Sequence, residues 1–344
     1  MAQERSALPT IVDVARAAGV SKGLVSFAFN NRPGVADETR DRILRIADEL
    51  GWRPSLPART LSTRTSFAMG LVIRRDPTVL TSDSFFPAFV AGVQSVLSTQ
   101  SRALVLAVVD DAAAEEAAYR SLAQERRVDG IFLTDLRRGD ARLALLDQLH
   151  MPAVTLGRPD EESPFPAVNM DDTTGIEQAV HHLAELGHTR IAHVAGDPEL
   201  LHGRRRREAF EDAMTAHGLA YRSLVDTDFS PAAGAAATRT LLRRRPRPTA
   251  ILYACDPMAM AGLKVLREHA VDVPSQMSII GYDGSEIARY LHPALTTVEA
   301  DPAHWGRAAA QTLLTAIADG YAADVELAAA HFVPGDSTAP VPAR

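Results

Sequence analysis

Residues 10–61 read TIVDVARAAGVSKGLVSFAFNNRPGVADETRDRILRIADELGWRPSLPARTL, and this stretch decides the fold of the N-terminal part. Thr10 can cap a helix together with Asp13, and apolar residues follow at helical spacing. Gly19 supplies a left-handed turn that ends this helix. A second helix is predicted from Ser21 to Asn30. Two helices joined by so short a glycine-containing turn indicate a helix-turn-helix.

A third helix is predicted within residues 35–51. Its apolar positions Ile43, Ile46, Ala47 and Leu50 repeat at helical spacing, and Gly51 ends it. This pattern alone is equally compatible with a small helical bundle that has no role in DNA binding. The fold class expected for this part is therefore all-α.

Charge is distributed unevenly along the chain. The whole chain has a net charge of −7, yet residues 1–66 hold ten Arg and Lys against seven acids, a net charge of +3. The remaining residues therefore carry −10. A basic head on an acidic body is typical of a module that contacts phosphate and is carried by one that does not.

The bulk composition limits the protein class. The chain has 344 residues, which suggests two or three structural units, and no run of 18 apolar residues. The N-terminus MAQERSALPT lacks the apolar stretch of a secretory signal. The single cysteine, Cys255, rules out an internal disulfide and a cysteine-based zinc cluster. We therefore expect a cytoplasmic protein with no cofactor, no metal and no membrane partner.

From Phe67 onward, buried apolar runs alternate with segments of helical length. The expected strands are FAMGLVI, ALVLAVV, VDGIFLT, AVTLG, AVNM, IAHVAG, AILYA and SIIGYD. Alternating strands and helices predict doubly wound parallel sheets covered on both faces, and the length suits two such sheets.

No enzyme signature accompanies these strands. The sequence has no GxGxxG after a strand, no GxxxxGK[ST], no HExxH and no GxSxG. The eleven histidines are scattered and suggest no catalytic set. The sequence therefore predicts a protein that is not an enzyme.

Residues 10–61 closely resemble the N-terminal domain of the lactose-repressor family of bacterial transcription regulators. Later stretches, among them RRVDGIFLT, HHLAELGHTRIAHVAG and VPSQMSIIGYDG, resemble the effector-binding core of that family. This core is itself similar to periplasmic sugar-binding proteins. The resemblance implies a helix-turn-helix head and an α/β core of two doubly wound parallel-sheet lobes.

The resemblance also implies domain boundaries. The head is expected at 1–52, a hinge with a short helix at 53–66, the core at 67–338 and a tail at 339–344. Three crossings between lobes are implied, so that lobe one comprises about 67–160 plus 294–324 and lobe two about 161–293 plus 325–338.

For the head, the resemblance implies that the second helix lies in the major groove and that paired hinge helices bind the minor groove. The residues it implicates in DNA binding are Thr10, Ser21, Lys22, Gly23, Ser26, Phe27, Asn30, Ala58 and Leu61. Phe27 is a departure, since the family usually has arginine there. A phenyl ring can make only an apolar contact with a thymine methyl, so the operator sequence is expected to differ.

For the cleft between the lobes, the resemblance implicates Phe85, Phe86, Arg158, Arg204, Cys255, Asp256 and Asp283 in effector binding. The three arginines after Arg204 are expected to be solvated or paired with acids near Glu208. Cys255 replaces the usual asparagine, which suggests an effector different from that of well-known sugar repressors.

The function expected is therefore a DNA-binding regulator, a repressor, whose operator affinity is controlled by a small molecule, a sugar. The partners expected are a pseudo-palindromic double-stranded operator and a second copy of the chain in a homodimer. Two alternatives stay open: a regulator that needs a corepressor such as a purine, and a sugar-binding receptor without a regulatory role.

Overall fold

The computed structural model describes residues 9–30, 32–55, 59–60, 63, 65–221 and 223–341. The chain divides into two compact units, residues 1–67 and 68–344. Each unit has its own hydrophobic core.

The first unit is built on three helices: α1 (Ile11–Ala18), α2 (Lys22–Phe29) and α3 (Asp37–Glu49). Ser21 caps α2 through its side chain, which accepts a hydrogen bond from Leu24 N at 3.2 Å. Gly19 ends α1 in the left-handed region, at a φ of 67°. Val14, Val25 and Ile43 are fully buried where the three helices meet. The predicted helix-turn-helix and third helix are present.

The second unit contains two six-stranded sheets. The first sheet has, in spatial order, the strands β11 (Val325–Leu327), β5 (Ala167–Met170), β4 (Ala153–Leu156), β3 (Ile131–Leu133), β1 (Ala68–Arg74) and β2 (Ala103–Val109). The second has β12 (His331–Val333), β10 (Thr296–Glu299), β9 (Ser278–Asp283), β8 (Ala250–Tyr253), β6 (Ile191–Val194) and β7 (Ser223–Val225).

Helices cover both faces of each sheet. They are α4 (Pro77–Ser82), α5 (Phe85–Leu97), α6 (Ala112–Gln124), α7 (Ala141–Gln148), α8 (Thr174–Glu185), α9 (Leu201–Ala216), α10 (Pro231–Arg243), α11 (Asp256–Glu268) and α12 (Pro302–Asp319). Short 3₁₀ turns lie at Ser98–Gln100 and Glu286–Tyr290. All described pairings between these strands are parallel except that between β10 and β12, which is antiparallel. The two sheets are therefore parallel, as predicted, apart from one antiparallel edge strand in the second.

The chain crosses between the lobes later than the sequence predicts. The boundaries expected at 160/161, 293/294 and 324/325 are wrong, because β5 pairs with β4 in the first sheet and β10 pairs with β9 in the second. The chain crosses after β5, after β10 and again after β11, which pairs with β5. Strand pairing, rather than the preceding loop, determines to which lobe each segment belongs.

Two glycines allow α5 and α12 to pack closely in lobe one. A Cβ atom on Gly92 would lie 2.0 Å from the carbonyl oxygen of Ala303, and one on Gly306 would lie 2.2 Å from that of Phe89. Only a residue without a side chain fits such a backbone approach. No helix among the described residues is long and apolar enough to cross a membrane.

Candidate functional site

The first turn of α2 is exposed on the surface of the head. Ser21, Lys22 and Gly23 are exposed in its first turn, and Phe27 keeps 40% of its surface accessible. The Arg32 guanidinium lies 5.7 Å from the centre of the Phe27 ring. A free first turn on the second helix is what base reading in the major groove requires.

Three further predicted residues share one groove of the head. Thr10, Ser26 and Asn30 line it together with Arg53 and Arg59. The Asn30 side-chain amide donates to the carbonyl oxygen of Ser26 at 2.8 Å, which fixes its position at the end of α2. Polar side chains beside two arginines suit contacts with a phosphate backbone. Ala58 and Leu61, predicted for the hinge, lie outside the described residues.

The second unit encloses a cavity between its two lobes, with about 880 Å³ of empty space including the part open to solvent. Phe85 and Trp305 bring aromatic rings to it from lobe one, and Phe229 brings one from lobe two. Its charged lining residues are Arg75, Asp83, Asp135, Asp172, Arg205, Arg206 and Asp283. Apolar rings combined with a few fixed polar groups are typical of a small-molecule site.

Arg206 is the buried arginine of the lobe-two side. Its Nε lies 3.5 Å from the Asp172 carboxylate, and its guanidinium carbon lies 3.6 Å from the centre of the Tyr282 ring. Burial raises the pKa of Asp172, although the charge of Arg206 opposes this rise. The Arg206 Nε makes no hydrogen bond among the described residues, and the nearby Asp172 carboxylate balances the charge of the guanidinium.

Asp283 ends β9 at the cavity with a φ of 111°, a strained backbone conformation for a residue with a side chain. Burial raises its pKa, and the nearby Asp256 raises it further. His202 also faces the cavity, and burial lowers its pKa to about 3. His202 is therefore neutral at physiological pH and can offer both a donor and an acceptor.

Three of the seven residues predicted for the effector line the cavity: Phe85, Cys255 and Asp283. Phe86 is buried in the core of lobe one, against Phe85 and the Arg75 guanidinium. Asp256 is buried beneath the site, where it accepts hydrogen bonds from Thr297 Oγ1 and Ser285 N, both at 2.7 Å. Burial raises the pKa of Asp256 to about 6.

The two predicted arginines do not line the cavity. Arg158 is half exposed and forms ion pairs with Asp324 and Glu326 on the outside of lobe one. Arg204 lies near Asp160 and Glu208. Successive residues of a helix differ by about 100°, so Arg204 and Arg206 cannot face the same way.

The structure instead brings Arg205 and Arg206 to the cavity, which corrects the expectation that they are solvated. A signal for Arg206 was present in the sequence. Gly203 and Phe210 are buried on the same helix, and position 206 lies three and four residues from them, on the same face. Arg75 and Asp135 carried no comparable signal, because they meet Asp83 only through folding.

Comparison with known proteins assigns the family. Residues 10–55 match the bacterial regulatory proteins of the lacI family, and residues 180–338 match a periplasmic binding protein-like domain. The HTH-type transcriptional regulator CelR of Thermobifida fusca is 35% identical over 320 residues, covering 91% of this chain and 93% of that protein. The chain belongs to the lacI family of bacterial regulatory proteins. The HTH-type transcriptional repressor PurR of Erwinia tasmaniensis is 32% identical over 314 residues, covering 90% and 91% of the two proteins.

Solved structures of lacI-family regulators match over nearly the whole chain. The complex of CelR with cellobiose has 32% identity and a TM-score of 0.72, covering 96% of this chain and 99% of that one. The lac repressor dimer bound to operator and the anti-inducer ONPF has 25% identity and a TM-score of 0.82, with the same coverage. The predicted fold class is confirmed, and the chain is a DNA-binding transcription regulator rather than an enzyme.

Proposed function

We propose that this regulator represses transcription from an operator and that a sugar, bound in the cavity between its lobes, controls its affinity for that operator. The observation that carries the proposal is the cavity itself, where aromatic rings and buried arginine–aspartate pairs from both lobes meet. A ligand that contacts both lobes changes their relative stability in the open and closed arrangements, as control of a distant site requires.

The cavity lining supports a sugar. Aromatic rings can pack against the C–H face of a pyranose, while carboxylates and guanidinium groups bond its hydroxyls. Phe85, Trp305 and Phe229 provide such rings next to the charged residues. The relative CelR was solved with cellobiose, and a regulator of Enterococcus faecium, 27% identical, was solved with ribose.

The DNA contacts remain those predicted from the sequence. The exposed first turn of α2 supports base reading by Lys22 and apolar contact by Phe27. Thr10, Ser21, Ser26 and Asn30 would contact phosphate or neighbouring bases. Gly23 lets the backbone approach the bases closely. Ala58 and Leu61 would enter the minor groove from a paired hinge.

The regulator would act as a homodimer in the cytoplasm, where its operator lies. β2 is an edge strand of the first sheet, and its residues Leu106 and Val108 are 50% and 42% exposed. Ile287 and Tyr290 of lobe two are exposed as well. Exposed apolar residues on an edge strand favour an interface, and two heads are needed to read two half-sites.

Titration of the full chain against its own upstream DNA, at fixed salt and with fluorescence anisotropy as the readout, tests the proposal. Glucose, ribose, cellobiose, hypoxanthine and guanine would each be added in turn. We expect specific binding that one of the sugars weakens. Stronger DNA binding with a purine and no response to sugars would contradict the sugar effector. Binding that never exceeds the salt-sensitive level seen with unrelated DNA would contradict operator recognition.

A further inference from the structure

Arg75 joins two carboxylates at the lobe-one wall of the cavity. Its Nε and Nη2 donate to the two oxygens of Asp135, both at 2.7 Å, and its Nη1 donates to Asp83 at 3.1 Å. The two-point contact with Asp135 matches the fork of the guanidinium to the carboxylate. All three nitrogens are therefore engaged by acids of the protein itself.

The Arg75 guanidinium also contacts both lobes. It lies 5.4 Å from the ring centre of Phe86 in lobe one and 5.5 Å from that of Phe229 in lobe two. Asp83 is fixed in turn, because it accepts a hydrogen bond from the backbone N–H of Phe85 at 2.7 Å. The three charged side chains thus form a rigid group, which we call the Arg75 triad (Arg75, Asp83 and Asp135).

The charge of Arg75 is not available to an anionic ligand. One guanidinium faces two carboxylates, so the triad has a net charge of −1. Arg75 lowers the pKa of Asp135 despite burial, whereas burial raises the pKa of Asp83. A ligand anion placed here would meet two acids in a buried setting, where repulsion between charges is strong.

The other residues that line the cavity do not offset the negative charge of the triad. Arg206 lies against Asp172, the formal charges of Arg205 and Asp283 cancel, and His202 is neutral. Arg205 donates to the carbonyl oxygen of Arg158. Thr134 is 2% exposed at the cavity wall, and its hydroxyl has no hydrogen-bond partner within the described residues. Such an unsatisfied group indicates a ligand that can hydrogen-bond.

We propose that Arg75 is a positioning residue that presents Asp83 and Asp135 as a pair of hydrogen-bond acceptors, which restricts the effector to an uncharged polyol with neighbouring hydroxyl groups. The inference rests on the proposed role of the cavity as the effector site. Hydroxyls donate to carboxylates with strong, charge-assisted bonds, whereas a carboxylate or a fully ionised phosphate has no proton to donate and repels the two acids.

Calorimetric titration of the full chain with matched neutral and anionic compounds tests this selectivity. The pairs are glucose with glucose 6-phosphate, glucose with gluconate, and ribose with ribose 5-phosphate, and cellobiose is added as a larger neutral sugar. We expect one neutral compound to bind and its anionic counterpart to bind at least about tenfold more weakly.

The variant Asp83→Asn tests whether the triad sets the preference for neutral over anionic compounds. It removes one negative charge and one strong acceptor, so we expect affinity for the neutral sugar to fall about tenfold and the gap to the anionic counterpart to narrow. The matched control is Asp129→Asn, which alters another part-buried aspartate of lobe one that binds an arginine, Arg102, at 2.6 Å. In this control the ratio of the two affinities should stay unchanged.

The variant Arg75→Lys keeps the charge but loses the fork, so affinity should fall while the preference for the neutral compound stays. The melting temperature of each variant reports whether it folds. Equal loss of neutral and anionic binding in Asp83→Asn would overturn the role of the triad in selectivity. Tighter binding of an anionic compound by the unaltered chain would overturn the polyol inference and leave the effector function standing. No binding of any compound would contradict the sugar effector itself, and the polyol inference would fall with it.

Discussion

Replacing Arg206 should lower the affinity for the effector more than replacing its helix neighbour Arg204. It is about nine-tenths buried at the cavity, and its charge faces Asp172. Arg206→Met should weaken effector binding at least about tenfold, because a charged hydrogen-bond donor is lost and a buried carboxylate is left alone. Isothermal titration calorimetry measures the change.

The control for Arg206 lies on the same helix. Arg204→Met removes an arginine that is only partly buried and contacts Asp160 and Glu208 near the surface. Effector affinity should therefore stay within about twofold, since exposed ion pairs contribute little. An equal loss of effector affinity in the two variants would contradict the assignment of Arg206, rather than Arg204, to the effector site.

The second prediction for a single residue concerns Phe27 and the operator sequence that the head prefers. Because its ring is exposed in α2 and carries no polar atom, Phe27→Arg should shift operator preference toward sites with guanine at the contacted position. Selection from a random DNA pool, carried out with both proteins, would show the shift. Identical selected sequences would mean that Phe27 does not face the bases. Phe29→Tyr, which alters the half-buried ring packed on Trp52, is the control and should leave the preference unchanged.

For single residues, the sequence predicts which residue types line the cavity better than it predicts which side chains point into it. The resemblance identified Phe85, Cys255 and Asp283, each of which lies at or just after the end of a strand or at the start of a helix, where backbone geometry fixes the side chain. It failed at Arg204, since four consecutive arginines occupy every side of a helix. The Arg75 triad was missed because Arg75, Asp83 and Asp135 come from three separate segments, which no local pattern relates.

Among the elements, the contact between α5 and α12 leaves no room for an added methyl group at Gly92 or Gly306. Gly92→Ala would place a Cβ 2.0 Å from the Ala303 carbonyl oxygen, so the helices must separate. We expect a loss of about 3 kcal/mol in the free energy of unfolding of the core. Urea denaturation of the full chain, followed by circular dichroism, measures it. Ala91→Ser on the exposed side of α5 is the control, and an unchanged midpoint for Gly92→Ala would contradict the close packing.

The strands predicted from sequence were those with mainly apolar segments. β2 begins and ends where its sequence run does, ALVLAVV. The strands β7, β10, β11 and β12 were not predicted. Length is not the reason, because β3 and β5 are equally short and were predicted; in the four missed strands, polar residues make up a third or more of the segment. The lobe boundaries were displaced for a different reason. Only the hydrogen-bonded neighbours of β5 and β10 assign these strands to their sheets, and those neighbours cannot be read from the sequence.

On the scale of the whole molecule, dimerisation should depend on the exposed edge of lobe one. Leu106→Glu would place a charge in the apolar surface of β2, so a homodimer formed there should dissociate. Sedimentation velocity should show a monomer, and operator affinity should fall because a single head contacts one half-site. Thr240→Glu, on the exposed side of α10, should leave the dimer intact. If the Leu106→Glu protein remains dimeric, the dimer interface does not include the apolar surface of β2.

The coupling between cavity and operator must also act in both directions. If a sugar weakens operator binding by a given factor, saturation with operator DNA must weaken sugar binding by the same factor, since both describe one coupling free energy. A coupling of about 1–3 kcal/mol corresponds to a change of roughly 5- to 150-fold. Calorimetry of the sugar with and without operator, in the same buffer, gives the second factor, and anisotropy gives the first. Arg206→Met should reduce sugar affinity in both measurements without altering operator binding in the absence of sugar. Two unequal factors would mean that the sugar acts at a step other than the equilibrium between the DNA-bound and free protein.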